Sequence, residues 1–122
     1  MPVITATDAP VFNTGGATIT GLASPSRGAA DTAAWRVALH ADHPSPTHSL
    51  DREEVFVVLS GAVTARFADH TETAEAGGAL IVPAGEQFSL IAAGADAEAV
   101  CILPVGAKAS VDGQSFTPPW AE

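Results

Sequence analysis

The sequence predicts an all-β fold, a small barrel or sandwich, on three observations. First, 11 Gly and 9 Pro are spread along the 122 residues. They cut the chain into pieces that suit strands better than helices of ten or more residues. Second, Val55-Phe56-Val57-Val58-Leu59 is apolar on every face and β-branched at three of its five positions. A strand buried on both sides has that composition. Third, Trp35, Val37 and Leu39 alternate with Arg36, Ala38 and His40, the two-residue period of a half-buried strand.

Taken in order, Ala17 to Ala23 reads as a weak strand within a low-charge N-terminal segment. Ala29 to His43 is Ala-rich and free of Gly and Pro, so propensity alone favours a helix, whereas its alternation favours a strand from Trp35 to His40. Ser49 to Ser60 has a helix-like start and stop, Ser49 as N-cap and Gly61 past the end. Its β-branched run favours a strand over Val55 to Leu59. Val63 to Ala68 follows, then a turn at Asp69-His70. Gly77-Gly78 precedes a strand over Ala79 to Val82, and Pro83-Ala84-Gly85 turns into Gln87 to Ala92. Glu98 to Leu103 is a further strand, and Asp112-Gly113 marks a hairpin in the tail. About eight short strands separated by turns match a barrel or sandwich. One domain is expected: 1–32 as N-terminal arm and first strand, 33–105 as the body, and 106–122 as the tail.

Composition narrows the function. The hydrophobic class is 47%, but 25 of those residues are Ala. Val, Ile, Leu and Phe number 28, enough for a core. With Lys+Arg at 5, Asp+Glu at 14 and a formal net charge of -9, no phosphate-binding surface is expected, and nucleic acid is excluded as a partner. No apolar run reaches the length of a membrane span, and the N-terminus lacks the basic and apolar regions of a signal peptide. The single cysteine, Cys101, excludes an internal disulfide. A cytoplasmic location is the expectation, with no membrane partner.

The pattern sharpens at His48. The chain reads His48-Ser49-Leu50-Asp51-Arg52-Glu53-Glu54, then six residues, then Gly61. Later come Gly77, five residues, Pro83-Ala84-Gly85, two residues and Phe88. This resembles the two motifs of the cupin superfamily. The first is His-x-His, three or four residues, Glu, six residues, Gly; the second is Gly, five residues, Pro-x-Gly, two residues, His. The Pro-Pro-Trp-Ala ending at Pro118 to Ala121 is similar to the tail of many small single-domain bacterial cupins. The resemblance covers roughly residues 33 to 122. It implies a cupin-type jelly-roll β-barrel with an N-terminal arm, and a homodimer.

The resemblance also implies a site. In the family, two histidines and a glutamate of the first motif and a histidine of the second bind a divalent metal. Here His48 and Glu54 match, while Leu50 and Phe88 replace the other two. The expected cofactor is therefore none, or a weakly held Fe, Zn, Mn or Ni ion. His40, His43 and Gln87 are possible additional donors, with Cys101 a further candidate.

The residues themselves point to the same place. Alternate strand residues share a face, and His48, Leu50, Glu54, Phe56 and Val58 have one parity. If pairing is regular across the intervening turn, they share one interior with Phe88 and Leu90. That gives a concave apolar pocket holding one imidazole and one carboxyl, a normal small-molecule site.

Two functional classes follow. The first is a cupin-fold protein that binds a small apolar or carbonyl-bearing molecule. The second is an enzyme, either a metal-dependent oxygenase or isomerase with a rearranged ligand set, or a metal-free isomerase or cyclase. In the metal-free case, His48 and Glu54 are the candidate catalytic residues. The plain alternative is that Glu54 pairs with Arg36, Arg52 or His48 and only sets strand register. A regulator's sensor domain is disfavoured, because no helix-turn-helix pattern occurs. Cys101 and Trp35 are expected in the core, and His70 in solvent. Trp120 is expected at the barrel mouth, on a neighbouring subunit or on the outer wall.

Overall fold

The computed structural model describes residues 1–122. The strands are numbered in chain order. One sheet has six strands in the order β1 (Val11–Asn13), β2 (Ala17–Ala23), β3 (Thr32–Leu39), β10 (Ala97–Pro104), β5 (Glu54–Ser60) and β8 (Ala79–Val82). Facing it are two three-stranded sheets. One runs β12 (Gln114–Phe116), β11 (Ala109–Val111), β4 (Ser49–Leu50); the other runs β7 (Thr71–Glu75), β6 (Ala62–Arg66), β9 (Ser89–Ile91). An antiparallel bridge between His48 and Phe88 links β4 to β9. The two small sheets thereby become one layer opposite the large sheet, and every ladder is antiparallel. This is a jelly-roll β-barrel, the all-β fold that the strand pattern predicts and the form of it that the cupin resemblance implies.

The helix-or-strand conflicts resolve toward strand. In β3 the buried residues Ala33, Trp35, Val37 and Leu39 alternate with less buried ones. The strand pairs with β2 on one side and β10 on the other. Two ladders and an inward apolar row outweigh the helical preference of its alanines. The only helical turns are short 3-10 segments at Pro25–Arg27 and Pro119–Ala121. β5 presents Glu54, Phe56 and Val58 inward, while Val55 and Val57 are half-buried on the outer face.

Three strands lack a clear sequence signal. β7 buries only Ala74 among five residues, so it has no apolar row to read. β4 is two residues long, and β1 is three residues on the sheet edge. The N-terminal arm therefore joins the large sheet earlier than expected, at Val11. The tail hairpin does form at Asp112-Gly113. Both residues have positive φ, 50° and 79°, as a two-residue type I′ turn requires.

The core holds 23 buried residues between the two layers. Phe56 and Phe88 meet across it edge to face, with ring centroids 6.1 Å apart. Gly61 shows why its motif needs glycine. Its φ is 70°, and a Cβ there would lie 2.6 Å from the Asp96 carbonyl oxygen.

Candidate functional site

One end of the barrel encloses a cavity of about 270 Å³. Its walls come from both layers. β2, β3, β5 and β10 contribute Ile19, Trp35, Val37, Leu39, Glu54, Phe56 and Cys101, and the opposite layer contributes His48, Leu50, Leu90 and Ala109. The tail closes over it with Phe116, Pro118 and Trp120. Trp120 sits between Phe12 and Trp35, at centroid distances of 6.0 and 6.3 Å. The backbone of the tail is held from the arm: the Ser26 hydroxyl donates to the Glu122 carbonyl at 2.7 Å, and Arg27 donates to the Trp120 carbonyl at 3.3 Å.

Glu54 is the chemical anomaly. It is only 4% exposed, and its Oε1 has no hydrogen-bond partner. Burial without a compensating cation raises its pKa to about 8, because a desolvated carboxylate is unfavourable. At neutral pH the group is therefore mainly the neutral acid. The expected partners lie elsewhere. Arg36 is on the outer face and pairs with Glu98, Arg52 is exposed, and no ion pair joins Glu54 to His48.

His48 is fixed by two contacts. Its Nδ1 lies 2.8 Å from the Pro46 carbonyl oxygen. A carbonyl only accepts, so Nδ1 carries the proton and Nε2 keeps its lone pair. The ring lies against Phe88 at 4.4 Å between centroids. Burial lowers its pKa, partly offset by the bond to Pro46. The imidazole is neutral at pH 7.

Cys101 also lines the cavity. Its register partners are Trp35 on β3 and Phe56 on β5. Burial, followed by the nearby Glu54, pushes the thiol well up, while a hydrogen bond from Trp35 acts the other way. It is a protonated wall residue, not a nucleophile.

The other predicted donors do not join this pair. His40 is exposed and lies 3.5 Å from the Thr18 hydroxyl through Nε2. His43 is exposed, and its Nδ1 bonds the Ala41 carbonyl at 2.8 Å. Gln87 is exposed on the turn before β9. No three His, Cys, Asp or Glu side chains gather closely enough to hold a metal ion. With Leu50 and Phe88 at the two substituted motif positions, the donor set present does not fit a divalent cation, which takes three protein ligands in catalytic zinc sites and four in structural ones.

The predicted pocket residues divide. Leu50, Phe56 and Leu90 line the cavity, whereas Val58 and Phe88 do not. Both are essentially inaccessible core residues, at 1% and 0% exposure. Phe88 sits beneath the His48 ring instead of in the wall. Lining residues that sequence reasoning left out of the pocket include Trp35, Phe116, Leu39 and Cys101, and Trp120 takes the barrel-mouth position among its three expected places. Parity places Trp35 inward, but only the register of β3 against β10 brings it beside Cys101. His70 is exposed and pairs with Asp69 at 2.6 Å.

The fold and the motif remnants define a class, and comparison with known proteins agrees. The cupin domain family matches residues 35–103, more than half of the chain, and the chain belongs to that family. Among solved structures, the polyketide cyclase RemF from Streptomyces resistomycificus aligns with a TM-score of 0.80 at 19% identity, over 98% of this chain and 88% of that one. KdgF from Halomonas sp. aligns with a TM-score of 0.70 at 14% identity, over 84% and 93%. A cupin-2 domain containing protein from Shewanella frigidimarina is 25% identical, with a TM-score of 0.57, over 62% and 72%. Comparison with curated protein sequences finds no match. No helix is long and apolar enough to cross a membrane.

Proposed function

We propose that this cupin binds a small, predominantly apolar molecule in its barrel, with Glu54 and His48 meeting the ligand's polar end directly. The observation that carries this is the unpartnered Glu54 carboxyl inside an otherwise apolar cavity. A buried polar group without a partner costs on the order of 1–3 kcal/mol or more. A ligand that supplies the partner recovers that cost. The cavity volume, about 270 Å³, lies just under the usual range for ligand sites and suits a compact molecule.

A titration with the neutral fluorescent probe N-phenyl-1-naphthylamine tests this. One probe per chain is expected, with energy transfer from Trp35 and Trp120 in the wall. Leu50→Trp, which fills the cavity, is expected to abolish binding while leaving the β-type circular dichroism intact. Equal probe binding by wild type and Leu50→Trp overturns the proposal.

A second reading is metal-free proton transfer on the bound molecule. It is favoured by one arrangement: the unpartnered Glu54 carboxyl and His48, whose Nδ1 is held on the Pro46 carbonyl so that Nε2 is free, line the same cavity, and burial favours the neutral form of each. Such a pair can donate to a carbonyl oxygen from Glu54 and accept a carbon-bound proton at His48 Nε2. The similarity to a polyketide cyclase over nearly the whole chain is compatible with this chemistry. Deuterium exchange at the α-carbon of a bound aryl ketone tests it. Exchange lost in both Glu54→Gln and His48→Phe supports it, and exchange no faster than in buffer refutes it.

A further inference from the structure

The Glu54 carboxyl, the aromatic walls and the position of every basic residue together narrow the ligand class. We infer that the barrel selects an organic cation, an ammonium carried on a single-ring apolar body, with Glu54 as its counter-charge. This rests on the barrel being a ligand pocket, as proposed above.

The chain has five Lys and Arg residues, and none lines the cavity. Arg27 stands behind the tail and not in the wall, with its terminal nitrogens bonded to Ser26 and the Trp120 carbonyl and its Nε unpartnered. Arg36 is paired with Glu98 on the outer face. Arg52 and Arg66 are exposed, and Lys108 bonds the Thr117 hydroxyl. A carboxylate or phosphate ligand would therefore enter an apolar space next to Glu54 with no cation to meet it. That arrangement is strongly unfavourable.

What the cavity does offer suits a cation. Glu54 Oε1 is an unused acceptor inside a 96%-buried residue, since its exposure is only 4%. His48 Nε2 is a second acceptor, because Nδ1 holds the proton against Pro46. The lining hydroxyl, thiol and indole donors are those of Ser45, Cys101 and Trp120, since the Thr14 hydroxyl already donates to the Ala17 carbonyl and the Trp35 indole is bonded to Cys101. In the free protein the Glu54 carboxyl holds a proton; a primary ammonium binds with release of that proton to solvent, and brings three donors and a positive charge to the resulting acceptor set. Trp35, Phe56 and Trp120 supply faces for the cation and its ring, and indole is the strongest cation–π partner among side chains.

Three probes of one shape test the inference: 2-phenylethylammonium, 2-phenylethanol and 3-phenylpropanoate. Binding is measured by calorimetry and by Trp fluorescence at neutral pH. The expected order is cation, then neutral, then anion, with at least about tenfold between cation and neutral, the scale of a desolvated cation–π contact combined with a charge-assisted hydrogen bond. Glu54→Gln is expected to remove that preference and leave the neutral probe within about twofold. Trp120→Leu is expected to weaken the cation more than the alcohol. If 2-phenylethanol binds at least as tightly as the ammonium, or if Glu54→Gln leaves the ammonium unaffected, the cation inference is overturned while the pocket stands. If no probe binds and N-phenyl-1-naphthylamine also fails, the pocket function falls and the inference with it.

Discussion

His48 and Phe88 are joined twice, by backbone and by ring. The His48 N–H donates to the Phe88 carbonyl at 2.9 Å, and the Phe88 N–H returns a bond to the His48 carbonyl at 2.8 Å. Their rings lie 4.4 Å apart. This one bridge makes a continuous layer of two three-stranded sheets. It also places a motif histidine of the cavity on a fully buried phenylalanine. The residue that replaces a family metal ligand thus positions the remaining one.

Phe88→Ala is therefore expected to do more than empty a core site. Phe88 is completely inaccessible and also contacts Phe56 and Phe67, at 6.1 and 6.2 Å. Phe→Ala in a core costs about 3–5 kcal/mol. Denaturant titration is expected to show a loss in that range. Phe88→Leu, which keeps most of the volume, is expected to cost less. A loss below about 1 kcal/mol for Phe88→Ala would mean that the surroundings collapse to fill the site.

Glu54 gives the stability a defined pH dependence. Its native pKa is about 8 against an ordinary 4.5. Between those values the native state holds a proton that the unfolded state has released. Stability from this group is then fully present below pH 4.5 and falls as pH rises through about 8. Each pKa unit corresponds to about 1.36 kcal/mol, so the deficit at pH 7 is about 3 kcal/mol. Glu54→Gln removes the titration. Wild type and variant are expected to have similar stability near pH 4, with the variant ahead by about 3 kcal/mol at pH 7. A constant difference across that range would show that Glu54 titrates normally. His48 contributes the opposite slope on the acid side, because burial lowers its pKa. Taking the difference between the two proteins cancels that contribution.

Much of the fold is legible because β patterning repeats along the chain. Trp35, Val37 and Leu39 announce β3, and Gly61 and the Pro83-Gly85 turn announce the barrel corners. That His48 and Glu54 share one cavity is legible, but for a different reason than parity across a regular turn. His48 is bridged into one layer and Glu54 stands in the other, so the two converge because both point inward. The position of Phe88 is not legible from spacing, since the family motif marks a backbone place and not whether a larger side chain stays in the wall. Cys101 is likewise an alternating apolar residue until the register sets it between Trp35 and Phe56. Trp120 depends on the Arg27 and Ser26 bonds to the tail backbone, contacts about 93 and 96 residues apart in sequence.

The mismatch between donors and metal leads to a third expectation. Chelator treatment is expected to leave the wild-type Tm unchanged, and added zinc or nickel to leave it unshifted. Leu50→His combined with Phe88→His restores both missing motif positions. Zinc is expected to raise the Tm of that variant by mass action, since a ligand that binds only the native state stabilises it. The variant without metal is expected to be less stable than wild type, because Phe88 is core. A wild-type Tm that falls on chelation would show that other donors complete the set.

The outer face of the large sheet carries the last prediction, the homodimer. Cross-strand register places Ile81 beside Val55, Val55 beside Ile102, and Val57 between Ala79 and Val100. These side chains are on the face away from the core, where Ile81 is 63% and Leu59 45% exposed. β8 is also an edge strand of four residues, with one side unpaired. A contiguous apolar face beside an open edge is the surface on which two copies of a sheet protein pack. We propose that a second copy covers it. Light scattering is expected to give about twice the 12.3 kDa chain mass. Ile81→Asp places a charge in that face without touching the core, so the expected result is a folded monomer with an unchanged circular dichroism spectrum. A wild-type monomer at micromolar concentration, or an Ile81→Asp variant that remains dimeric, would place the contact elsewhere or remove it.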